Sequence, residues 1–179
     1  MRIVSGKYGG RNLVPFSGEK IRPTPDMVRE SLFNILRDKI YGASFLDLFC
    51  GTGAVGIEAL SRGAEKVCFN DIDRDSIAVL KKNLEKLKVS ESVKIFNKDA
   101  ITLLESAKEE FDFIYADPPY KSGLGIKALP YAARALKKGG TLIYENETPF
   151  SDEVPKNLKI KDERKYGRVY ITFFIREEE

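Results

Sequence analysis

Short, largely apolar runs recur along the chain at 45–49, 67–70, 93–96, 111–116 and 141–145, each the length of a buried strand. Between them the apolar spacing switches to the helical period. Val28, Leu32, Ile35, Leu36 and Ile40 mark one helix face, and Ile77, Leu80, Leu84 and Leu87 another. Thr24 is placed to cap the first of these helices, with Pro25 at its first position and Asp26 complementing its dipole. A Gly-rich turn opens a helix that Gly63 ends, a short helix starts near Ile101, and a helix over 124–138 is kinked or restarted at Pro130. The last two strands, near 158–163 and 169–175, flank the turn Tyr166-Gly167-Arg168 and read as a hairpin. Residues 3–14 read as two short strands around a second Gly-rich turn.

Apolar strands alternating with helices require a parallel sheet covered on both faces. The expected fold is therefore α/β, doubly wound and Rossmann-like. Its sheet is seven-stranded and mostly parallel, with a C-terminal antiparallel hairpin and a small N-terminal β-hairpin extension. A ligand of such a sheet lies at the carboxyl ends of the strands, where the strand order reverses. No repeat, low-complexity tract or linker interrupts the chain, which divides into an arm over 1–22 and one domain over 23–179.

Composition narrows the chemistry. The 179 residues include no His and only two Cys, which excludes Ser-His-Asp and Cys-His catalysis and any His-ligated metal. Cys50 and Cys68 lack metal-site spacing, and a disulfide between them is not expected in a reducing cytosol. No metal is expected. No apolar run approaches a membrane span and no signal-peptide pattern opens the chain, so the expectation is a cytoplasmic protein. The net charge is +3, yet Arg2, Lys7, Arg11, Lys20 and Arg22 face Glu19 alone within residues 1–22. The basic excess belongs to the arm, which suits contact with a polyphosphate.

The chemistry sits at the strand ends. Asp47-Leu48-Phe49-Cys50-Gly51-Thr52-Gly53-Ala54-Val55-Gly56 follows a strand and opens a helix, the context a nucleotide-binding Gly loop needs. A carboxylate four residues before the first Gly is foreign to the pyrophosphate fingerprint and favours a cationic ligand. S-adenosylmethionine has an amino group, a sulfonium and no phosphate. Asp71 is placed to accept from both ribose hydroxyls, and Asp73 to cap the following helix. Asp99 is placed either to meet an adenine amine or to cap a helix. Asp117-Pro118-Pro119-Tyr120 ends the fourth strand beside this site. Methylating an exocyclic amine requires localising a lone pair delocalised into the base. The Asp117 carboxylate and the Pro118 carbonyl can accept the two N–H bonds, the prolines fix the carbonyl's direction, and Tyr120 can stack on an extruded base.

These motifs resemble the class I S-adenosylmethionine-dependent methyltransferases, and within them the bacterial 16S rRNA (guanine(966)-N(2))-methyltransferase family. The likeness spans essentially the whole chain. It rests on the Gly loop, on Asp117-Pro118-Pro119-Tyr120, and on two N-terminal blocks, Arg2-Ile3-Val4-Ser5-Gly6-Lys7-Tyr8-Gly9-Gly10-Arg11 and Arg22-Pro23-Thr24-Pro25-Asp26-Met27-Val28-Arg29-Glu30-Ser31-Leu32-Phe33-Asn34. The resemblance implies that Asp47, Gly51 and Gly53 line the methionine end of the cofactor, Asp71 the ribose, and Asp99 and Ala100 the adenine, with Phe49, Ile72 and Asp117 as further cofactor contacts. It implies a catalytic block of Asp117, Pro118, Pro119 and Tyr120, with Arg2, Lys7, Arg11 and Arg22 as RNA contacts. It further implies a monomer acting on 16S rRNA in a small ribosomal subunit or its assembly intermediate. An adenine-N6 DNA methyltransferase with the same tetrapeptide stays open, as do a nicotinamide-dependent oxidoreductase and a non-catalytic RNA-binding assembly factor.

Overall fold

The computed structural model describes residues 1–17, 23–90 and 92–177. Arg22, expected among the RNA contacts, lies outside the described residues, as does Lys20. In chain order the elements are α1 (Asp26–Leu36), a 3₁₀ turn (Arg37–Ile40), β1 (Ser44–Asp47), α2 (Ala54–Ser61), β2 (Lys66–Asn70), α3 (Arg74–Leu87) and β3 (Ser92–Phe96). Then follow α4 (Ala100–Ser106), β4 (Phe111–Ala116), α5 (Leu124–Ala135), β5 (Leu136–Asn146), β6 (Leu158–Tyr166) and β7 (Val169–Arg176). The strands form one seven-stranded sheet in the order β3-β2-β1-β4-β5-β7-β6. The first five are parallel, and β7 pairs antiparallel with both β5 and β6.

The continuous apolar runs are explained by burial on both faces. Phe45, Val67, Phe69, Phe113 and Ile143 join α1, α2 and α3 in one core. Their neighbours Leu46, Cys68, Ile114 and Leu142 join α4 and α5 in a second. Each fully buried Phe or Leu contributes roughly 1.5–3 kcal/mol, so the sheet is the seam that holds both helical layers. Both cysteines are buried free thiols. Among the described residues, no helix is long and apolar enough to cross a membrane.

Three local expectations change. The helix over 124–138 ends at Ala135, with Pro130 inside it, and residues 136–140 begin β5. Pairing of Leu136 with Phe111 extends the strand, so the Lys137-Lys138 pair lies on a strand instead of a helix end. Thr24 does not cap α1. The cap is Pro25, while the Thr24 hydroxyl lies 3.4 Å from that of Tyr115 and its carbonyl accepts from Arg29 Nη1 at 2.9 Å. The N-terminal hairpin, expected as two strands, retains a single antiparallel bridge between Arg2 and Asn12.

The arm's other backbone groups turn to the domain. Val4 and Ser5 donate their N–H groups to the two Glu58 carboxylate oxygens at 2.9 and 3.0 Å. Lys7 N–H reaches the Ser61 carbonyl at 2.7 Å, and Val14 N–H reaches Asn83 Oδ1 at 2.6 Å. Ile3, Tyr8 and Leu13 are buried in the first core. Gly6, at φ 85°, sits so close that a Cβ would lie 1.9 Å from the Ser61 carbonyl oxygen. Residues 4–14 are thereby stitched to α2 and α3.

Candidate active site

The strand order reverses between β1 and β4, and a cavity of about 940 Å³ opens there at the carboxyl edge. Each parallel strand delivers its following residues to the wall. Phe49 and Gly51 follow β1, Asp71, Ile72 and Asp73 follow β2, and Lys98, Asp99 and Ala100 follow β3. Asp117, Pro118, Pro119 and Tyr120 follow β4, and Glu145 and Glu147 come from the end of β5. Pro23, Thr24, Met27 and Val28 close one side. The turn between β6 and β7 brings Tyr166, Gly167 and Arg168 to the same rim because β7 begins beside the end of β5.

Hydrogen bonds hold the loops in register. Asn70, buried at the end of β2, donates to the carbonyls of Leu48 at 3.2 Å and Lys98 at 3.0 Å, tying the loops after β1 and β3 together. Asp71 accepts from Gly51 N–H at 2.8 Å and Asp73 N–H at 2.9 Å, so its carboxylate shapes the Gly loop while facing the cavity. Asp73 caps α3 through Ser76, as its spacing suggested. Asp99 caps α4 through Thr102 and also lines the cavity. The two readings of Asp99 are structurally compatible.

Ten of the residues predicted for cofactor and catalysis come together here: Phe49, Gly51, Asp71, Ile72, Asp99, Ala100, Asp117, Pro118, Pro119 and Tyr120. Gly53 and Asp47 stand behind the wall. Gly53 has φ 89°, and a Cβ there would lie 2.3 Å from Leu80 Cδ1, so its glycine serves the turn into α2. Asp47 is 1% exposed and accepts from Gly56 N–H at 2.9 Å through Oδ2. Its Oδ1 has no partner among the described residues. Burial, with a smaller push from Asp71, raises the Asp47 carboxyl to about 7. A buried acceptor left unmet beside an acidic cavity suits a ligand that brings positive charge.

Sequence reasoning missed Glu145. Only 3% exposed, it accepts hydrogen bonds from the hydroxyls of Tyr115 and, at 3.2 Å, Tyr120. Burial and the neighbouring Glu145 and Asp47 charges hold the Asp117 carboxyl well above the usual carboxylate range. Burial raises Glu145 as well, against the two tyrosine hydroxyls that favour its charged form. The strand-end rule that selected Asp117 also selects Glu145, the last acidic residue of a strand toward the same edge. Cys50, in the Gly loop, is held protonated by burial and by the nearby Asp47 and Asp71 charges, which fits a packing role.

The predicted RNA contacts do not gather at the cavity. Arg2 pairs with Asp26 at 3.5 Å, at the start of α1. Lys7 and Arg11 sit over the Tyr8 ring at 5.1 and 5.7 Å. They reach Ser90 and the Leu87 carbonyl beyond the far end of α3. A helix of that length spans roughly 20 Å, so this pair is well removed from the wall formed at the start of α3.

Residues 1–175 match the family described as conserved hypothetical protein 95. The ribosomal RNA small subunit methyltransferase D of Haemophilus influenzae is 35% identical over 174 residues, covering 94% of this chain and 90% of that protein. The protein of the same name from Escherichia coli strain K12 is 35% identical over 187 residues, covering 99% of this chain and 90% of that protein. Among solved structures, yhhF from Escherichia coli superposes with a TM-score of 0.90 at 33% identity, covering 100% of this chain and 99% of that one.

Proposed function

The chain belongs to the conserved hypothetical protein 95 family, and from that premise we propose that it is an S-adenosylmethionine-dependent rRNA methyltransferase modifying the N2 amine of a guanine in 16S rRNA. The observation that carries the reading is the placement of Asp117-Pro118-Pro119-Tyr120 on the wall of the cavity that the Gly51 loop also lines. The full-length likeness to proteins named for small-subunit rRNA methylation supports the substrate. The working place is the cytoplasm, the working form a monomer, and the substrate a small ribosomal subunit or its precursor.

Phe49, Gly51, Asp71, Ile72, Asp99 and Ala100 would hold the cofactor from the cavity wall, with Asp47 behind it supplying negative charge and Gly53 shaping the loop. The cofactor supplies an electrophilic methyl group. The protein's task is then to present an amine in line with it, which is where most of the rate arises. Tyr120 carries the base on its ring. Asp117 and the Pro118 carbonyl accept the two N–H bonds, turning the nitrogen lone pair outward. Asp117, favoured in its ionised form by the positive charge of a bound cofactor, would stabilise the charge growing on the amine nitrogen and take the released proton, while the S–C bonding pair stays on sulfur.

The test is transfer of labelled methyl to undermethylated small subunits, free rRNA and DNA. The wild-type protein labels the subunit or its rRNA. Asp117→Ala lowers the rate by about 10²–10⁴ while S-adenosylhomocysteine binding persists. Label on DNA alone, or near-normal turnover by Asp117→Ala, overturns the assignment.

A further inference from the structure

We propose that Glu145 reads the target base, accepting the ring N1–H of guanine while Asp117 holds the neighbouring N2 amine. The inference rests on the methyltransferase reading and adds the determinant of base choice. The β4–β5 register pairs Ala116 with Tyr144, so Asp117 and Glu145 are the next residues on adjacent parallel strands. Such strands run about 4.8 Å apart, both residues line the cavity, and the two carboxyl groups are near enough for the charge of one to act on the other.

Glu145 is fixed before any base arrives. The Tyr115 hydroxyl holds Oε2 and the Tyr120 hydroxyl holds Oε1 at 3.2 Å. Thr24 backs Tyr115 at 3.4 Å. A carboxylate has about four lone-pair positions, so two donors leave acceptor capacity facing the cavity. That spare capacity is selective. Of the four bases, only guanine has an exocyclic amine next to a ring N–H. The amines of adenine and cytosine adjoin a ring nitrogen bearing a lone pair, which a carboxylate repels. A pair of adjacent carboxylates therefore matches guanine's N1–H and N2 amine and rejects the alternatives through an unpaired buried acceptor.

The experiment uses 16S rRNA with either guanine or 2,6-diaminopurine at the methylated position, assembled by splinted ligation and reconstituted with ribosomal proteins. Diaminopurine keeps the 2-amine and lacks N1–H. The expected result is a wild-type preference for guanine in kcat/KM of about 10-fold or more. Glu145→Gln brings the ratio to near one, because its amide can donate to the diaminopurine nitrogen. Glu145→Asp, which keeps the charge but shortens the reach, gives an intermediate ratio. If Glu145 merely braces the tyrosines, both substrates slow together and the ratio holds, which overturns the proposal. Equal wild-type rates on the two substrates overturn it as well. So does a variant that folds, binds S-adenosylhomocysteine and is inactive on both, since a reading contact cannot carry all of catalysis. Wild-type protein that labels neither RNA overturns the rRNA reading itself, and this inference with it.

Discussion

Asp47 combines full burial, one backbone hydrogen bond and an oxygen without a partner among the described residues. Its carboxyl is raised to about 7, above the ordinary value of 3.8. Between those two values the folded protein binds more protons than the unfolded chain, so stability falls as pH rises through that window. The ligand-free protein should therefore lose thermal stability relative to Asp47→Asn between pH 4 and pH 7, measured as the difference in Tm. A cationic cofactor favours the ionised carboxylate. S-adenosylmethionine affinity should rise as pH passes through 7, with proton release in titration calorimetry; a flat affinity from pH 6 to 8 contradicts this. Asp47 and Asp117 were legible because each breaks an apolar run at a strand's carboxyl end. Glu145 ends an apolar run in the same way, but only the register of β4 against β5 shows that it adjoins Asp117.

The helix α2 illustrates what element-level patterns convey and what they hide. The Gly loop announced a turn into a helix, and the helix is there. Its glycines have a further task. A Cβ at Gly56 would lie 2.3 Å from Phe69 Cε1, on the strand that α2 covers. Gly56→Ala should cost about 1–3 kcal/mol and lower Tm by roughly 3–10 °C, with the cavity-lining Gly51 untouched. Calorimetry or a thermal melt checks it. Apolar runs and turn signals together located the helices and strands of the domain, and the runs are continuous where β1, β2 and β4 are buried on both faces. They failed at 136–140, where a polar Lys-Lys-Gly-Gly stretch carries no strand signal and pairing with Phe111 decides the conformation. Thr24 failed for a similar reason: a distant tyrosine hydroxyl, unreadable from local sequence, outcompetes the helix cap.

At the scale of the molecule, the sequence showed where the basic charge lies and concealed how it is mounted. Lys7 and Arg11 belong to an arm whose Ile3, Tyr8 and Leu13 are part of the core. This makes the pair a fixed feature, separated from the cavity by the length of α3. Neutralising both should weaken RNA binding uniformly across sequences and reduce the slope of log K against log salt by about 0.7–0.9 per lost phosphate contact. An unchanged slope returns the pair to a purely structural role.

That same mounting orders the birth of the protein. Residues 1–14 are made before the groups that anchor them, Glu58, Ser61, Asn83 and the end of α3. Residues 3–14 must remain an open, basic, partly apolar thread until α3 has been made, because contacts of such long sequence separation form only once both sides exist. Completion of α3 then closes it down beside the helices that frame the cavity. The segment therefore docks after residues that follow it by fifty positions or more, and its arrival reports that α2 and α3 are in place.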